Sequence, residues 1–399
     1  MNAAPANASM PSLMPIYRRI DLAFEHGEGS WLFTKDGRRF LDFAAGIAVC
    51  GLGHAHPHLV HALQEQAARL WHVSNLFRIE PLERLADRLV AHSFADTAFL
   101  CNSGAEAIEA SIKLVRRYHW AAGHPERHKI VTFEGSFHGR TMAGISAAGG
   151  GRLTEGYAPL LEGFVHLPFG DHEALRAALA DPAVGAVLVE PIQGEGGIRP
   201  LPPQCLEGLR EACDETGALL VYDEVQCGMG RTGHLFAYQH SGVTPDVMAL
   251  AKGLGGGFPI GACLATARAA SGMTPGSHGS TFGGNPLACS VANAVLDVML
   301  EPGFLDGVAE RARYLRAGLE GLRERHAAQL PEVRGLGLML GLKLAVPNLE
   351  AAAALRANGL LTVPAGDNVL RLLPPLTVSE AEIDEALALI GRTFAGMGG

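Results

Sequence analysis

The sequence predicts an α/β protein built on a mostly parallel central sheet, with a smaller α+β unit assembled from both chain ends. Three observations carry this. Apolar strand-like runs alternate with segments of helical periodicity through the middle of the chain. Aromatic residues make up only 6% and hydrophobic residues 48%, an Ala-, Leu- and Val-rich mixture unlike a Tyr- and Thr-rich sandwich. The chain has 399 residues, and single hydrophobic cores stop growing near ~250–300 residues, so more than one structural unit is expected.

The elements follow in order. Residues 1–15, MNAAPANASMPSLMP, lack a basic n-region and an apolar h-region, lack the arginines of a transit peptide, and read as a flexible tail. Residues 16–60 form the first segment of the small unit. Within them Lys35-Asp36-Gly37-Arg38 separates two alternating runs, a hairpin signal. Residues 61–285 form the large unit. Its strands are predicted at Ala98–Cys101, Lys129–Phe133, Val184–Glu190, Ala218–Tyr222, Val247–Ala251 and Ile260–Ala265. Its helices are predicted at Ala105–Tyr118, with Ile108, Ile112 and Val115 on one face, and at Leu206–Glu215. Residues 286–399 are mainly helical, with strands at Gly337–Leu344 and Val369–Leu373. The last helix opens on a capping box from Ser379 to Glu382 and aligns Ile383, Leu387, Ile390 and Phe394.

Composition narrows the function classes. Fifty glycines are about one residue in eight, against an average near ~7%, yet no G-X-Y period runs through the chain. A net charge of −9 disfavours nucleic acid or an anionic lipid surface as a general partner. No apolar run reaches the ~18 residues of a membrane span. Seven scattered cysteines without a C-x-x-C read as reduced thiols and predict a cytoplasmic protein. His54, His56, His58 and His61 do not have the spacing of a zinc site, so no metal is expected. Gly253–Gly261 lacks the G-x-G-x-x-G of a dinucleotide loop.

The sharpest chemical signal is a pair of strand ends. Asp223 ends one apolar run and Lys252 follows another, which places both at one sheet edge. Alone, such an Asp is a helix cap and such a Lys a surface charge. Here Lys252 lies between apolar residues and Gly253, Gly255, Gly256 and Gly257. Burial there would depress its pKa and make its amine a usable nucleophile. A buried carboxylate needs a cationic partner, and a protonated pyridine nitrogen supplies one. Together they suggest a Schiff-base lysine and a pyridinium-holding aspartate, an arrangement suited to pyridoxal 5'-phosphate. Asn102-Ser103-Gly104-Ala105-Glu106 lies at a strand-to-helix turn where unpaired N–H groups can take a phosphate. Ser280 to Asn285 is a second hydroxyl-plus-glycine turn.

The runs 45–57 (AGIAVCGLGHAHP), 102–106 (NSGAE), 136–141 (SFHGRT), 190–197 (EPIQGEGG), 223–227 (DEVQC), 250–257 (LAKGLGGG) and 280–286 (STFGGNP) occur in one order. That series resembles the class III, fold type I, pyridoxal-phosphate-dependent aminotransferases, and within them the acetylornithine aminotransferase branch, from about Tyr17 to Phe394. The resemblance implies that Lys252 holds the cofactor and shuttles a proton, and that Asp223 pairs with its ring nitrogen. It places Glu224, Val225 and Gln226 beside the cofactor, Phe137 on the ring face, and Ser103, Gly104 and Ala105 at the phosphate. It implies that Thr281 reaches the phosphate of a partner subunit, with Ser280 near the substrate, so that the active site lies at a homodimer interface. Arg140 would clamp a substrate carboxylate. Glu195 and Arg371 resemble a switch pair that opens for a dicarboxylate. Cys50 and Ile108 replace asparagines frequent in the branch, which leaves the acyl preference open.

The expected activity is transfer of the terminal amino group of N2-acetyl-L-ornithine to 2-oxoglutarate, in ping-pong order, as a step of arginine biosynthesis. The cofactor with a different donor is the first alternative: ornithine, succinylornithine, succinyl-diaminopimelate, acetyl-lysine or 4-aminobutyrate. A catalytically inactive pyridoxal-phosphate-binding regulator is the alternative of another class. An NAD-type dehydrogenase is a further rival.

Overall fold

A computed structural model describes residues 12–397. The predicted tail falls mostly outside them. Seven strands make the large sheet, numbered here in chain order: β1 (Thr97–Cys101), β2 (Lys129–Phe133), β3 (Phe164–Leu167), β4 (Val184–Val189), β5 (Leu219–Asp223), β6 (Val247–Leu250) and β7 (Gly261–Ala265). Their spatial order is β1-β7-β6-β5-β4-β2-β3. Only β7 runs against its neighbours β6 and β1; the other pairings are parallel. A parallel sheet is covered on both faces, so its strands read as unbroken apolar runs. Every residue of β4, β5 and β6 is buried.

The predicted boundaries hold to within one or two residues on each strand named from the sequence. The edge strand β3 escaped notice because Phe-Val-His-Leu is short and half-exposed. The helix after β1 runs Gly104–Ala121 and buries Ile108, Ile112 and Val115 against the sheet, as their spacing requires. The second predicted helix extends over Pro203–Thr216, with Pro at its first turn and a left-handed Gly217 at its end.

Register places the chemistry. Asp223, the last residue of β5, lies opposite Ala249 of β6, and Gly261 at the start of β7 lies opposite Cys101 at the end of β1. The loops after β1, β5 and β6 therefore open at one edge, where strand carboxyl ends leave a crevice.

The chain ends meet in smaller sheets. Phe24–Glu28, Trp31–Thr34 and Arg39–Asp42 form an antiparallel set that Leu360–Leu361 joins in parallel. A second sheet orders Glu332–Leu336, Met339–Lys343, Val369–Leu372 and Val363–Ala365. The strand expected at Gly337–Leu344 runs Met339–Lys343 and is the second arm of a hairpin whose first arm, Glu332–Leu336, was not expected; Gly337 turns the chain between them at φ +60°. The final helix, Glu380–Met397, keeps its capping box: Glu382 N donates to Ser379 Oγ, and Glu382 accepts from Ser379 N. Among the described residues no single helix is long and apolar enough to cross a membrane.

Candidate active site

At the shared sheet edge lies a cavity of about 430 Å³. Nine of the residues singled out from the sequence line it: Ser103, Gly104, Ala105, Phe137, Arg140, Asp223, Val225, Gln226 and Lys252. They come from four separate segments of the chain, and the strand ends gather them.

Ser103 is the N-cap of the helix Gly104–Ala121 and accepts from Glu106 N at 3.2 Å. The carboxylate of Glu106 turns back to Asn102 N and Nδ2. The first amides of this helix face the cavity with the positive end of its dipole. Gly104 is required there: a Cβ would stand 2.8 Å from Val225 Cγ1. Gly139 approaches from the opposite loop at φ +101°, and a Cβ on it would meet Ala105 Cβ at 2.9 Å.

Asp223 is 4% exposed. It accepts from His138 Nδ1 at 2.8 Å and from Val225 N at 3.0 Å. Burial alone would lower the His138 pKa, but the hydrogen bond and charge of Asp223, with the charge of Glu190, raise it overall. His138 Nε2 is buried without a partner. Glu190, just beyond β4, accepts from Phe137 N and Gly194 N and so ties two walls of the site together. Burial, then the charge of Asp223, pushes its pKa up to about 7.

Lys252 holds a left-handed backbone at φ +46°, a costly conformation for a residue with a side chain and one that clusters at functional sites. Burial lowers its pKa, while the charges of Asp223 and then Glu195 pull the other way. The result is an amine desolvated beside carboxylates, able to give up a proton more readily than a surface lysine.

Arg140 is exposed, with its guanidinium 5.6 Å from the centroid of the Phe137 ring. Arg371 is 1% exposed and donates from one nitrogen to Glu195 Oε1 at 2.5 Å and to Gln226 Oε1 at 3.2 Å. Glu195 lines a larger cavity of about 1240 Å³ that shares Phe137 with the first.

Three expected residues stand apart. Glu224 turns away from the cavity and accepts from Ala237 N and Tyr238 N, so its side chain anchors a loop. Ser280 accepts from Asn102 Nδ2 and Gly283 N and does not line the cavity. Thr281 lies on the exterior of this chain. Ile108 lines the cavity, and the Cys50 sulfur lies 3.8 Å from where Gly257, another lining residue, would carry a Cβ. The neighbouring histidines do not converge: His54 pairs with Asp42, His58 with Asp297 and His61 with Glu65.

Sequence reasoning passed over His138 and Glu190 as functional groups. Glu190 carried the signal that exposed Asp223, a carboxylate ending an all-apolar strand. His138 carried none by itself; its meaning comes from contact with Asp223, 85 positions away.

Residues 15–394 match the family model for class-III aminotransferases. The chain is 57% identical over 391 residues to acetylornithine aminotransferase 1 of Bradyrhizobium diazoefficiens, covering 98% of this chain and 96% of that one. It is 59% identical over 386 residues to the acetylornithine aminotransferase of Mesorhizobium japonicum, covering 97% and 96%. Among solved structures it resembles N-acetylornithine aminotransferase from Stenotrophomonas maltophilia, with TM-score 0.83, 42% identity and coverage of 94% and 96%. It also resembles the ornithine aminotransferase of Toxoplasma gondii, whose active site is partly occupied by PLP, with TM-score 0.91, 32% identity and coverage of 95% and 92%.

Proposed function

This chain belongs to the class III aminotransferases, and we propose that within this family it transfers the terminal amino group of N2-acetyl-L-ornithine to 2-oxoglutarate. The products are N-acetyl-L-glutamate 5-semialdehyde and L-glutamate. The cofactor of the family is pyridoxal 5'-phosphate, and the residues here suit it. A buried carboxylate, Asp223, held by His138, lines the cavity, where a pyridinium would suit its charge. The cradle between Gly104 and Val225 is one that a single added Cβ would fill. When bound, the cofactor supplies an electrophilic carbon for amines and a ring that accepts electron density.

The roles follow from what each side chain can do. Ser103, Gly104 and Ala105 bind the phosphate at the helix N-terminus. Asp223, steadied by His138, keeps the pyridine nitrogen protonated. Phe137, Val225 and Gln226, which line the same cavity, would confine its ring. Lys252 would hold the cofactor through its amine, and that same amine, desolvated beside carboxylates, is placed to take up and release a proton. Arg140 takes a carboxylate common to both substrates.

One observation carries the substrate reading. Arg140 is open to the cavity, whereas Arg371 is masked by Glu195, which is itself partly exposed. A donor with one carboxylate and an uncharged acyl tail needs only Arg140. A dicarboxylate such as 2-oxoglutarate needs a second cation, which becomes available when Glu195 swings into the larger cavity. The two relatives at 57% and 59% identity support the same amino donor only through their names, so a rate comparison is the decisive test. With 2-oxoglutarate fixed, kcat/KM for acetylornithine is expected to exceed that for ornithine, succinylornithine, succinyl-diaminopimelate, acetyl-lysine and 4-aminobutyrate. A higher value for any other amine replaces the donor.

The reading includes a homodimer in a reducing cytoplasm. Leu76 and Phe77, at 89% and 65% exposure, lie beside Phe282 at 60%, a concentration of bare apolar surface that partners cover. Asn75 ties this loop to Ser280 and Gly283, so the same face presents Thr281 to a second copy. All seven cysteines are unpaired.

A further inference from the structure

Arg231 is 2% exposed, a large cation inside the protein. Burial lowers its pKa to about 10, and no carboxylate offsets that effect. A buried guanidinium without an anion is costly, so its location calls for a reason. Its side-chain bonds run to two backbone carbonyls, Leu338 O at 3.3 Å and Pro374 O at 2.5 Å.

Those carbonyls occupy matching positions. Met339–Lys343 pairs antiparallel with Val369–Leu372, with Leu340 opposite Leu372 and Gly341 opposite Arg371. Extended beyond the ends of both strands, two positions before Leu340 and two after Leu372, the same register would set Leu338 opposite Pro374. Proline has no N–H, so the ladder cannot continue there. Leu338 N is also withdrawn from it, donating to Arg231 O at 2.9 Å. The Arg231 guanidinium takes the place of the missing rung and closes the end of the strand pair that carries Arg371. The backbones also approach closely here: a Cβ on Gly337 would stand 2.4 Å from Thr232 Cα.

The same loop reaches Arg371 a second time. Gln226, five positions before Arg231, accepts from the Arg371 guanidinium. One loop therefore holds both the side chain of Arg371 and the strand beneath it. We propose that Arg231 is a positioning residue for acceptor recognition: by clamping Leu338 and Pro374 it fixes Arg371 where the second carboxylate of a dicarboxylic substrate binds. The proposal rests on the reading of Arg371 as that carboxylate's partner.

The test uses the cofactor-loaded enzyme and the variants Arg231→Gln, Arg231→Lys and, as control, Arg371→Lys. Glutarate, an unreactive dicarboxylate, is titrated by calorimetry, and the donor and acceptor half-reactions are followed separately in single turnovers. Arg231→Gln should weaken glutarate binding and raise KM for 2-oxoglutarate by about tenfold each, with the donor half-reaction within about twofold of the parent. Arg231→Lys, which keeps the cation but loses the planar fork, should fall between, and it serves alone if the glutamine variant does not fold. Equal loss in both half-reactions, or unchanged glutarate binding in the lysine variant, overturns the proposal. Unchanged glutarate binding in Arg371→Lys instead overturns the reading of Arg371 on which it rests.

Discussion

Glu195 and Arg371, 176 positions apart in the chain, meet through Oε1 and a guanidinium nitrogen at 2.5 Å, and the two partners differ sharply in exposure. Arg371 is 1% exposed at its side chain and Glu195 37%. The arginine is fixed by strand pairing to Gly341 and Val363 and by Gln226. The carboxylate is the partner with open space beside it, in the larger cavity it lines.

Replacing Glu195 by Gln should therefore act on substrates unequally. Arg371 would stand uncompensated and attract carboxylates in the donor half-reaction as well. We expect kcat/KM for acetylornithine to fall about tenfold, while that for 2-oxoglutarate changes less than about threefold. Steady-state kinetics with each substrate varied in turn measures the split. Parallel losses would mean that the ion pair is only structural.

Lys252→Ala should reduce turnover by at least about 10³-fold and remove the visible absorbance of the lysine-linked cofactor. Compared without cofactor, its unfolding midpoint should not fall, because the substitution removes a buried polar amine and leaves the backbone at φ +46° unchanged. Lys252→Arg should not restore activity, since a guanidinium does not give up its proton in this range. Persisting turnover in the alanine variant contradicts the assignment.

The His54–Asp42 pair should make stability pH-dependent. Asp42, 2% exposed, accepts from Ala44 N, Ala45 N and His54 Nε2, and so holds the left-handed turn at 45–48 that leads to Val49 in the cavity wall. The hydrogen bond from His54 to Asp42, followed by that to Cys50, raises the imidazole pKa from 6.5 to about 9. A histidine raised in the folded state contributes its stability fully below 6.5 and loses it as pH rises through about 9. His54→Gln should cost about 1–2 kcal/mol at pH 6 and much less at pH 10, read from urea midpoints. A constant difference across that range would show that the pair does not titrate this way.

Gly104→Ala should weaken cofactor binding by about tenfold, because its Cβ would push Val225, 2.8 Å away, into the cavity. Adding Val225→Ala should recover most of the loss, which makes the effect a contact rather than a backbone defect. Fluorescence titration of the apoprotein with the cofactor measures both. Normal binding by the single variant would place the phosphate elsewhere.

Several features were legible in the chain for local reasons. β4, β5 and β6 are buried on both faces, so they appear as bare apolar runs, and the polar residue that ends each run lands at the cavity edge. The capping box at Ser379 and the Ile108–Ile112–Val115 face likewise depend only on neighbours within a few residues. Edge strand β3 and the strand Phe24–Glu28 were not legible, because half-exposed strands lack that apolar continuity. Glu224 shows the limit within a single motif. It adjoins Asp223 in sequence, but alternation along an extended chain sends its carboxylate to Ala237 and Tyr238 instead of the cavity.

By itself the sequence determined the alternating architecture, the strand-end lysine and aspartate, and the glycine-bearing turns at the cavity edge. These are consequences of burial, periodicity and backbone freedom, which act over short stretches of chain. Only the tertiary structure decided that β7 runs against its neighbours and that His138 supports Asp223. It also decided that Glu190 ties Phe137 to Gly194 and that Arg231 closes the strand pair beneath Arg371. Those relationships join residues far apart in the chain, and a buried charge or carbonyl acquires its partner only when packing brings the two together.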